Sequence, residues 1–240
     1  MISLKNISKS FAKFKVLDDV SLTFDGNSII AIMGPNGSGK TTLLKCILGL
    51  VIKDFGNIII DGIDIDKDYR YKEKIGYMPQ YANYPGNLKV AEIIELIKGI
   101  RGGRTGYDVE LLRDFNIDEV MEKRFSNLSG GMKQRVSASL AFLFDPPIII
   151  LDEPTAGLDP FAAEILKAKI FKEKQKGKII ILTSHLLAEV DEIADRLVFL
   201  LEGKVKLDTT IAGMKNGHGE SLGTAVYKYF NKEIPGEKKQ

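Results

Sequence analysis

Cysteine is nearly missing from this chain of 240 residues: Cys46 stands alone, so no disulfide can form within it. The composition is compatible with a reducing cytosol. An excess of either charge is missing too. Lys and Arg number 34 against 32 Asp and Glu, a formal net charge of +2. That balance is too even to argue for nucleic acid or an anionic membrane surface as a partner. Long apolar runs are also lacking. Stretches such as Ile148 to Leu151 and Leu197 to Leu201 fall far short of the ~20 residues a membrane-spanning helix needs. The chain is therefore not expected to cross a membrane by itself, and any membrane role is expected to come through a partner. Residues Met1 to Ile7 alternate apolar and polar, without the apolar core of a signal peptide. There is no internal repeat and no low-complexity segment beyond the charged end 236–240.

What is present reads as a globular α/β protein. Ile2 to Ile7 and Leu17 to Phe24 have apolar residues at every second position, the period of half-buried strands. Ser28 to Met33 is an apolar run that stops at a Gly-rich loop, and Lys40 to Leu50 then shows helical spacing through Leu43, Leu44, Ile47 and Leu48. Ile58 to Ile60 predicts a short strand closed by the turn Asp61-Gly62. From Gln80 to about Phe144 the spacing predicts a mostly helical insert, with Val90, Ile93, Ile94 and Ile97 on one face and Leu111, Leu112 and Phe115 on another. Buried strands return at Pro147 to Leu151, Ile179 to Thr183 and Leu197 to Leu201. Helical stretches separate them at Phe161 to Lys174 and Leu186 to Ala194. Such alternation predicts a parallel sheet. The part after Glu202 is polar and Gly-rich, with a last helix from Ser221 to Phe230.

Three motifs carry chemistry. Gly34-Pro35-Asn36-Gly37-Ser38-Gly39-Lys40-Thr41 fits the P-loop pattern G-x-x-x-x-G-K-[ST]. Its glycines let successive backbone N–H groups turn toward phosphate oxygens, and the helix that follows presents its positive end to the same anion. Lys40 is expected on the β- and γ-phosphates and the Thr41 hydroxyl on Mg²⁺. From average residue usage the four fixed positions recur by chance in roughly one window in 30,000. The second motif, Ile148 to Glu153, is an apolar strand that ends on two carboxylates. Asp152 suits the Mg²⁺ position, and Glu153 suits polarising the attacking water. In the third, Leu128-Ser129-Gly130-Gly131-Met132-Lys133-Gln134-Arg135, Ser129 can cap a helix and the glycine N–H groups make a second anion-binding end. One phosphate site needs one such loop; a second suggests that another copy of the chain closes over the nucleotide.

Along nearly its whole length the sequence resembles the nucleotide-binding subunit of ABC transporters. Phe11 matches the aromatic that stacks on adenine in that family, Gly34 to Thr41 its Walker A loop, and Gln80 in Tyr77-Met78-Pro79-Gln80 its Q-loop glutamine. Leu128 to Gln134 match the signature motif, with Met132 where the commonest form has Gln. Ile148 to Glu153 match Walker B and the catalytic glutamate, Asp159 the D-loop, and His185 in Thr183-Ser184-His185 the switch histidine. The resemblance implies a P-loop fold with a RecA-like parallel-sheet core (1–79 and 145–205), an N-terminal antiparallel β subdomain, a helical signature subdomain (80–144) and a C-terminal tail (206–240). It implies ATP hydrolysis, with Lys40, Gln80, Glu153 and His185 in catalysis. Phe11, Gly34 to Thr42 (Gly34, Pro35, Asn36, Gly37, Ser38, Gly39, Lys40, Thr41, Thr42) and Ser129, Gly130 and Gly131 would hold nucleotide. Thr41, Gln80 and Asp152 would hold Mg²⁺. Two chains would bind two ATP head to tail, beneath a membrane permease, on the cytoplasmic side of the cell membrane.

Within the family, Tyr81 to Val90, Phe144-Asp145-Pro146-Pro147, Leu182 to Val190 and Phe199 to Lys204 resemble one branch. It is the ATPase subunit of the copper-maturation transporter serving nitrous oxide reductase, which implies a periplasmic copper-handling partner. A generic export ATPase is the alternative. Tyr81 and Tyr84 follow the Q-loop glutamine, and in the family that region lies beside the groove that receives a permease helix, so both are expected at that contact. Cys46 is read as a small core residue, and His218 is given no role. The alternating Asp64, Asp66 and Asp68 read as a solvated loop, because they lack the glycine and terminal Glu of a calcium loop. Chromosome-maintenance ATPases need arms for which this chain has no room, translation factors of the superfamily carry two cassettes, and a GTPase needs an N-K-x-D motif that Asn87-Leu88-Lys89-Val90 does not supply.

Overall fold

The computed structural model describes residues 1–102, 106–215 and 220–233. A hairpin comes first, β1 (Ile2–Phe11) and β2 (Phe14–Phe24), followed by β3 (Ser28–Met33), α1 (Lys40–Ile47), β4 (Phe55–Ile60), β5 (Ile63–Asp64) and β6 (Ile75–Met78). Three helices follow, α2 (Val90–Ile100), α3 (Glu110–Asp114) and α4 (Gly130–Phe142). Strand and helix then alternate as β7 (Ile148–Asp152), α5 (Pro160–Gln175), β8 (Ile179–Thr183), α6 (Leu187–Ile193) and β9 (Arg196–Leu201). The described chain closes with β10 (Lys204–Thr210), α7 (Ile211–Met214) and α8 (Leu222–Glu233).

Two sheets result. The first is antiparallel, in the order β2-β1-β4-β5. The second has the order β10-β9-β3-β8-β7-β6 and is parallel except for β10, which runs antiparallel to β9 at the edge. Its inner strands are apolar except at their ends (Ser28, Asp152, Thr183 and Arg196) because both faces are covered. Ile29, Ala31 and Met33 of β3 point into a core shared with α2 to α6. Ile30 and Ile32 point the other way, into a core shared with α1 and the antiparallel sheet. The same alternation splits Ile149 and Leu151 of β7 from Ile148 and Ile150, as the two-residue period of a strand requires.

The parallel register places the chemistry. Met78 pairs with Leu151, Asp152 with Thr183, Thr183 with Ile32, and Met33 with Phe199. The carboxyl ends of β6, β7, β8 and β3 therefore stop at one level. The Gly-rich loop, Gln80, Glu153 and His185 all emerge there, the edge at which open α/β sheets bind ligands.

Three strands were not anticipated: β5, β6 and β10. β6 is short and contains Gly76, where a Cβ would lie 1.9 Å from the Ala141 carbonyl oxygen; the glycine lets α4 pack directly on the strand. β10 occupies the start of the stretch read as a polar tail, and its Leu207 alone is buried, as expected of an edge strand. In the 80–144 insert the helical reading holds for α2, α3 and α4, but residues 79–89 form an irregular segment before α2. The helix after the Gly-rich loop ends at Ile47 rather than at Leu50. His218 and residues 236–240 lie outside the described residues.

Candidate active site

The P-loop begins where β3 ends. Gly39, the residue that caps α1, has φ 106°, and a Cβ there would sit 2.7 Å from the Val16 carbonyl oxygen of β2. Only glycine fits that conformation beside that neighbour. The loop is held closed by Lys40, whose Nζ donates to the Gly34 carbonyl at 2.8 Å and the Pro35 carbonyl at 3.1 Å. Burial lowers the Lys40 pKa, while the negative Glu153 and Asp152 act to raise it. Ser38 Oγ is buried and has no hydrogen-bond partner among the described residues. A buried hydroxyl without a partner is costly, and an anion seated in the loop would supply one. The first turn of α1 contains no acidic residue to oppose an anion.

Facing this loop, Asp152 Oδ1 lies 3.5 Å from Thr41 Oγ1. Asp152 also accepts a hydrogen bond from Thr183 Oγ1 at 2.6 Å, and the same Thr183 oxygen accepts from the Glu153 N–H at 2.9 Å. Thr183 is fully buried, so one hydroxyl fixes both acidic positions. Glu153 has φ 52°, a left-handed backbone that costs a non-glycine residue about 1–2 kcal/mol and that clusters at functional sites. Its Oε2 accepts from Gln80 Nε2 at 3.0 Å and lies 3.4 Å from His185 Nδ1. Tyr77, beneath these groups, has its phenol pushed up to about 12 by burial, with the Asp152 charge adding to it.

Gly34, Pro35, Asn36, Gln80, Glu153 and His185 line one cavity of about 740 Å³. Phe199, Leu201 and Phe230 form its apolar wall, Phe230 of α8 resting on Phe199 with ring centroids 4.7 Å apart. Phe11 lies elsewhere, at the tip of the first hairpin opposite Phe14; both rings are exposed, and Lys9 Nζ sits 5.3 Å from the Phe11 centroid. Ser129 caps α4 by accepting the Met132 N–H at 3.3 Å. None of Ser129, Gly130 and Gly131 lines the cavity that holds Gly34 to Asn36. The fold thus brings Lys40, Thr41, Asp152, Glu153, Gln80 and His185 together; Ser129 and Gly130 are exposed, and Gly130 borders a second cavity with Gln80 and Glu153.

Two residues of this neighbourhood were given no role by the motif reading. Thr183 is one; its signal was a lone hydroxyl at the end of an all-apolar strand. Gln134 is the other. Its buried Nε2 donates to the Gln80 carbonyl at 2.6 Å and the Ala156 carbonyl at 3.4 Å, tying the signature helix to the segments on either side of Glu153. Asp159 caps α5 by accepting the Ala162 N–H at 3.0 Å and pairs with Arg135. Cys46 is buried, and burial raises its thiol to about 11, as suits an inert core residue.

Residues 17–156 match the model of the ABC transporter family, more than half of the chain. The chain belongs to the ABC transporter ATP-binding proteins. Over its full length it is 31% identical to the lantibiotic transport ATP-binding protein SrtF of Streptococcus pyogenes, and it covers all of that protein. It is 35% identical over 213 residues to the lipopolysaccharide export system ATP-binding protein LptB of Haemophilus influenzae, covering 85% of this chain and 88% of that one. Among solved structures, an ATP-binding subunit of an ABC transporter superposes with TM-score 0.87 at 31% identity, over 96% of this chain and 99% of that one. A dimeric ATP-binding cassette in a post-hydrolysis state, bound to ADP and Pi, superposes with TM-score 0.78 at 27% identity, over 88% and 99%. This ABC ATPase binds and hydrolyses ATP, and its fold is the P-loop α/β fold with an antiparallel N-terminal sheet. Among its described residues no helix is long and apolar enough to cross a membrane.

Proposed function

We propose that this ABC ATPase powers an exporter, working as a head-to-tail homodimer beneath a membrane permease on the cytoplasmic face. The observation that carries the catalytic part is the convergence of Gln80, Glu153 and His185 on the cavity that Gly34 to Asn36 also line, with Lys40 and Asp152 close enough to Glu153 and each other to interact electrostatically. Export is favoured by the relatives above, which are named for lantibiotic transport and lipopolysaccharide export. A copper-maturation role for nitrous oxide reductase, with a periplasmic copper-handling protein, rests on short stretches of resemblance alone. The relatives' names lend it no support, so the exporter reading replaces it.

In the proposed cycle the ATP triphosphate lies along the P-loop. Lys40 exchanges its two carbonyl partners for phosphate oxygens, and Ser38 Oγ gains the partner it lacks. Phe11 would stack on the base, and the N–H groups of Gly37, Gly39 and Thr42 would join the cradle. Thr41 Oγ1, Asp152 and Gln80 are oxygen donors of the kind Mg²⁺ selects, and the 3.5 Å between the first two suits a shared ion. When bound, Mg²⁺ would neutralise phosphate charge. Glu153 orients the attacking water through its free carboxylate edge, while Gln80 holds the other oxygen. His185, half-exposed beside it, contacts the γ-phosphate. The exposed Ser129 and Gly130 and the half-buried Gly131 would reach the nucleotide of the second copy, in keeping with their absence from the lining around Gly34 to Asn36. ATP then favours the closed pair and ADP does not.

Nucleotide-dependent light scattering tests this. Glu153→Gln protein should shift from monomer to dimer on adding MgATP, and a Ser129→Arg change on top should abolish the shift. A Glu153→Gln protein that stays monomeric with MgATP would contradict the sandwich.

A further inference from the structure

Glu153 and His185 sit on different loops, and a side chain on a third element holds both loops. Glu153 opens the turn after β7, closed by the Ala156 N–H donating to the Glu153 carbonyl at 3.1 Å. His185 lies in the connection between β8 and α6. Glu189, in the first turn of α6, accepts from Thr155 Oγ1 at 2.6 Å on one carboxylate oxygen and from Ser184 Oγ at 2.6 Å on the other. Ser184 is buried, and its oxygen in turn accepts the Leu186 N–H at 3.0 Å, which closes the loop around His185. Hydrogen bonds to an ionised acceptor are the shorter and stronger kind.

We propose that Glu189 is a positioning residue for ATP hydrolysis: its carboxylate bridges the Thr155 turn to the Ser184 loop and so sets the spacing between Glu153 and His185. Each hydroxyl spends its proton on Glu189, and the two catalytic side chains end 3.4 Å apart. The β7–β8 ladder and the Glu153 N–H to Thr183 bond join the strand ends, but without the bridge nothing among the described residues ties the Thr155 turn to the Ser184 side of the loop. The P-loop, built on β3 and α1, is not part of the bridge, so ATP affinity is spared while the hydrolytic step suffers.

The inference rests on the roles proposed above for Glu153 and His185, so Glu153→Gln is measured alongside. Glu189→Ala should lower kcat about 10- to 100-fold, the cost of roughly 1 Å of misplacement, with KM for ATP unchanged within about twofold. Glu189→Gln should stay near the wild-type kcat, because the amide oxygen accepts from one hydroxyl and the other hydroxyl can rotate to accept from the amide N–H. If Glu189→Ala does not fold, the pair Thr155→Val and Ser184→Ala, with Glu189 intact, should show the same kcat loss. A wild-type kcat in Glu189→Ala overturns the proposal. So does a kcat loss accompanied by a matching rise in KM, or a failure of Glu189→Gln to rescue. Were Glu153→Gln itself active, the catalytic reading would fall rather than the bridge.

Discussion

Gln80 donates its side-chain amide to Glu153 at 3.0 Å, joining the segment after β6 to the end of β7. With His185 Nδ1 3.4 Å from the same Oε2, the carboxylate is held rather than free to swing. Geometry of this kind suits a residue that orients water. Glu153→Gln should therefore keep ATP binding and lose turnover by about 10²- to 10⁴-fold. Phosphate release measured beside nucleotide binding checks this, and wild-type turnover would remove Glu153 from the role.

Lys40 is spoken for in two ways. In the present structure it braces its own loop through the Gly34 and Pro35 carbonyls, and with nucleotide it is to meet phosphate. Lys40→Ala removes a charged hydrogen bond worth about 1.5–3 kcal/mol, so the Kd for ATP should rise by about 10- to 100-fold. Equilibrium dialysis with labelled ATP reads the change. Loss of turnover at unchanged Kd would place Lys40 in the hydrolytic step alone.

The motifs made most of this site legible before any coordinates, because a P-loop, an acidic strand end and a strand-end histidine each need a fixed local pattern. The parallel strands were legible for the same reason: Ile148 to Leu151 and Ile179 to Leu182 are apolar throughout. What escaped was set by tertiary packing. Gly76 makes β6 look like a linker, yet its missing side chain is what admits α4. Lys204 to Thr210 looked like tail because an edge strand buries only Leu207. The lone hydroxyl of Thr183 marks its strand end but not its partner Asp152, 31 residues away, and no local pattern announces Gln134, whose partner Gln80 is 54 residues away.

A buried charge cluster joins the helical region to α5. Lys169 meets Asp108, Glu110 and Glu173, and Glu173 also meets Lys176 and Lys178. Burial works against ionisation of Glu173, but hydrogen bonds from Lys169, Lys176 and Lys178 hold its pKa at about 2, below the ordinary 4.5. A depressed carboxylate pKa contributes stability that is full above the unfolded value and fades as pH falls from 4.5 toward about 2. Glu173→Gln leaves buried ammonium groups short of a partner and should cost about 3–5 kcal/mol. Urea melts should show that loss at neutral pH and a flatter decline in the acid window. An unchanged acid slope would mean that other carboxylates control it.

Tyr81 and Tyr84 were both expected at the permease contact, and the structure separates them. Tyr84 packs edge-on against Phe125, ring centroids 5.4 Å apart at 83°, and Phe125 is itself buried. Burial raises the Tyr84 phenol pKa. Tyr84, half-buried, therefore contributes to the fold of the helical region, and of the two tyrosines Tyr81 presents the more exposed ring. Tyr81 is 78% exposed, one residue after Gln80, and it has the rigid, large, amphipathic surface that favours interface anchors. Tyr84→Ala should destabilise the isolated subunit by about 3 kcal/mol, whether or not the permease is present. Tyr81→Ala should leave the stability of the isolated subunit within about 0.5 kcal/mol and its basal ATPase unchanged, yet weaken co-purification with the permease and its stimulation of ATPase activity. Thermal melts of the subunit alone, set beside co-purification from detergent-solubilised membranes, read the two variants in both contexts. If Tyr81→Ala retains full association and stimulation, the exposed ring is surface and no more, and the coupling contact lies elsewhere on this chain.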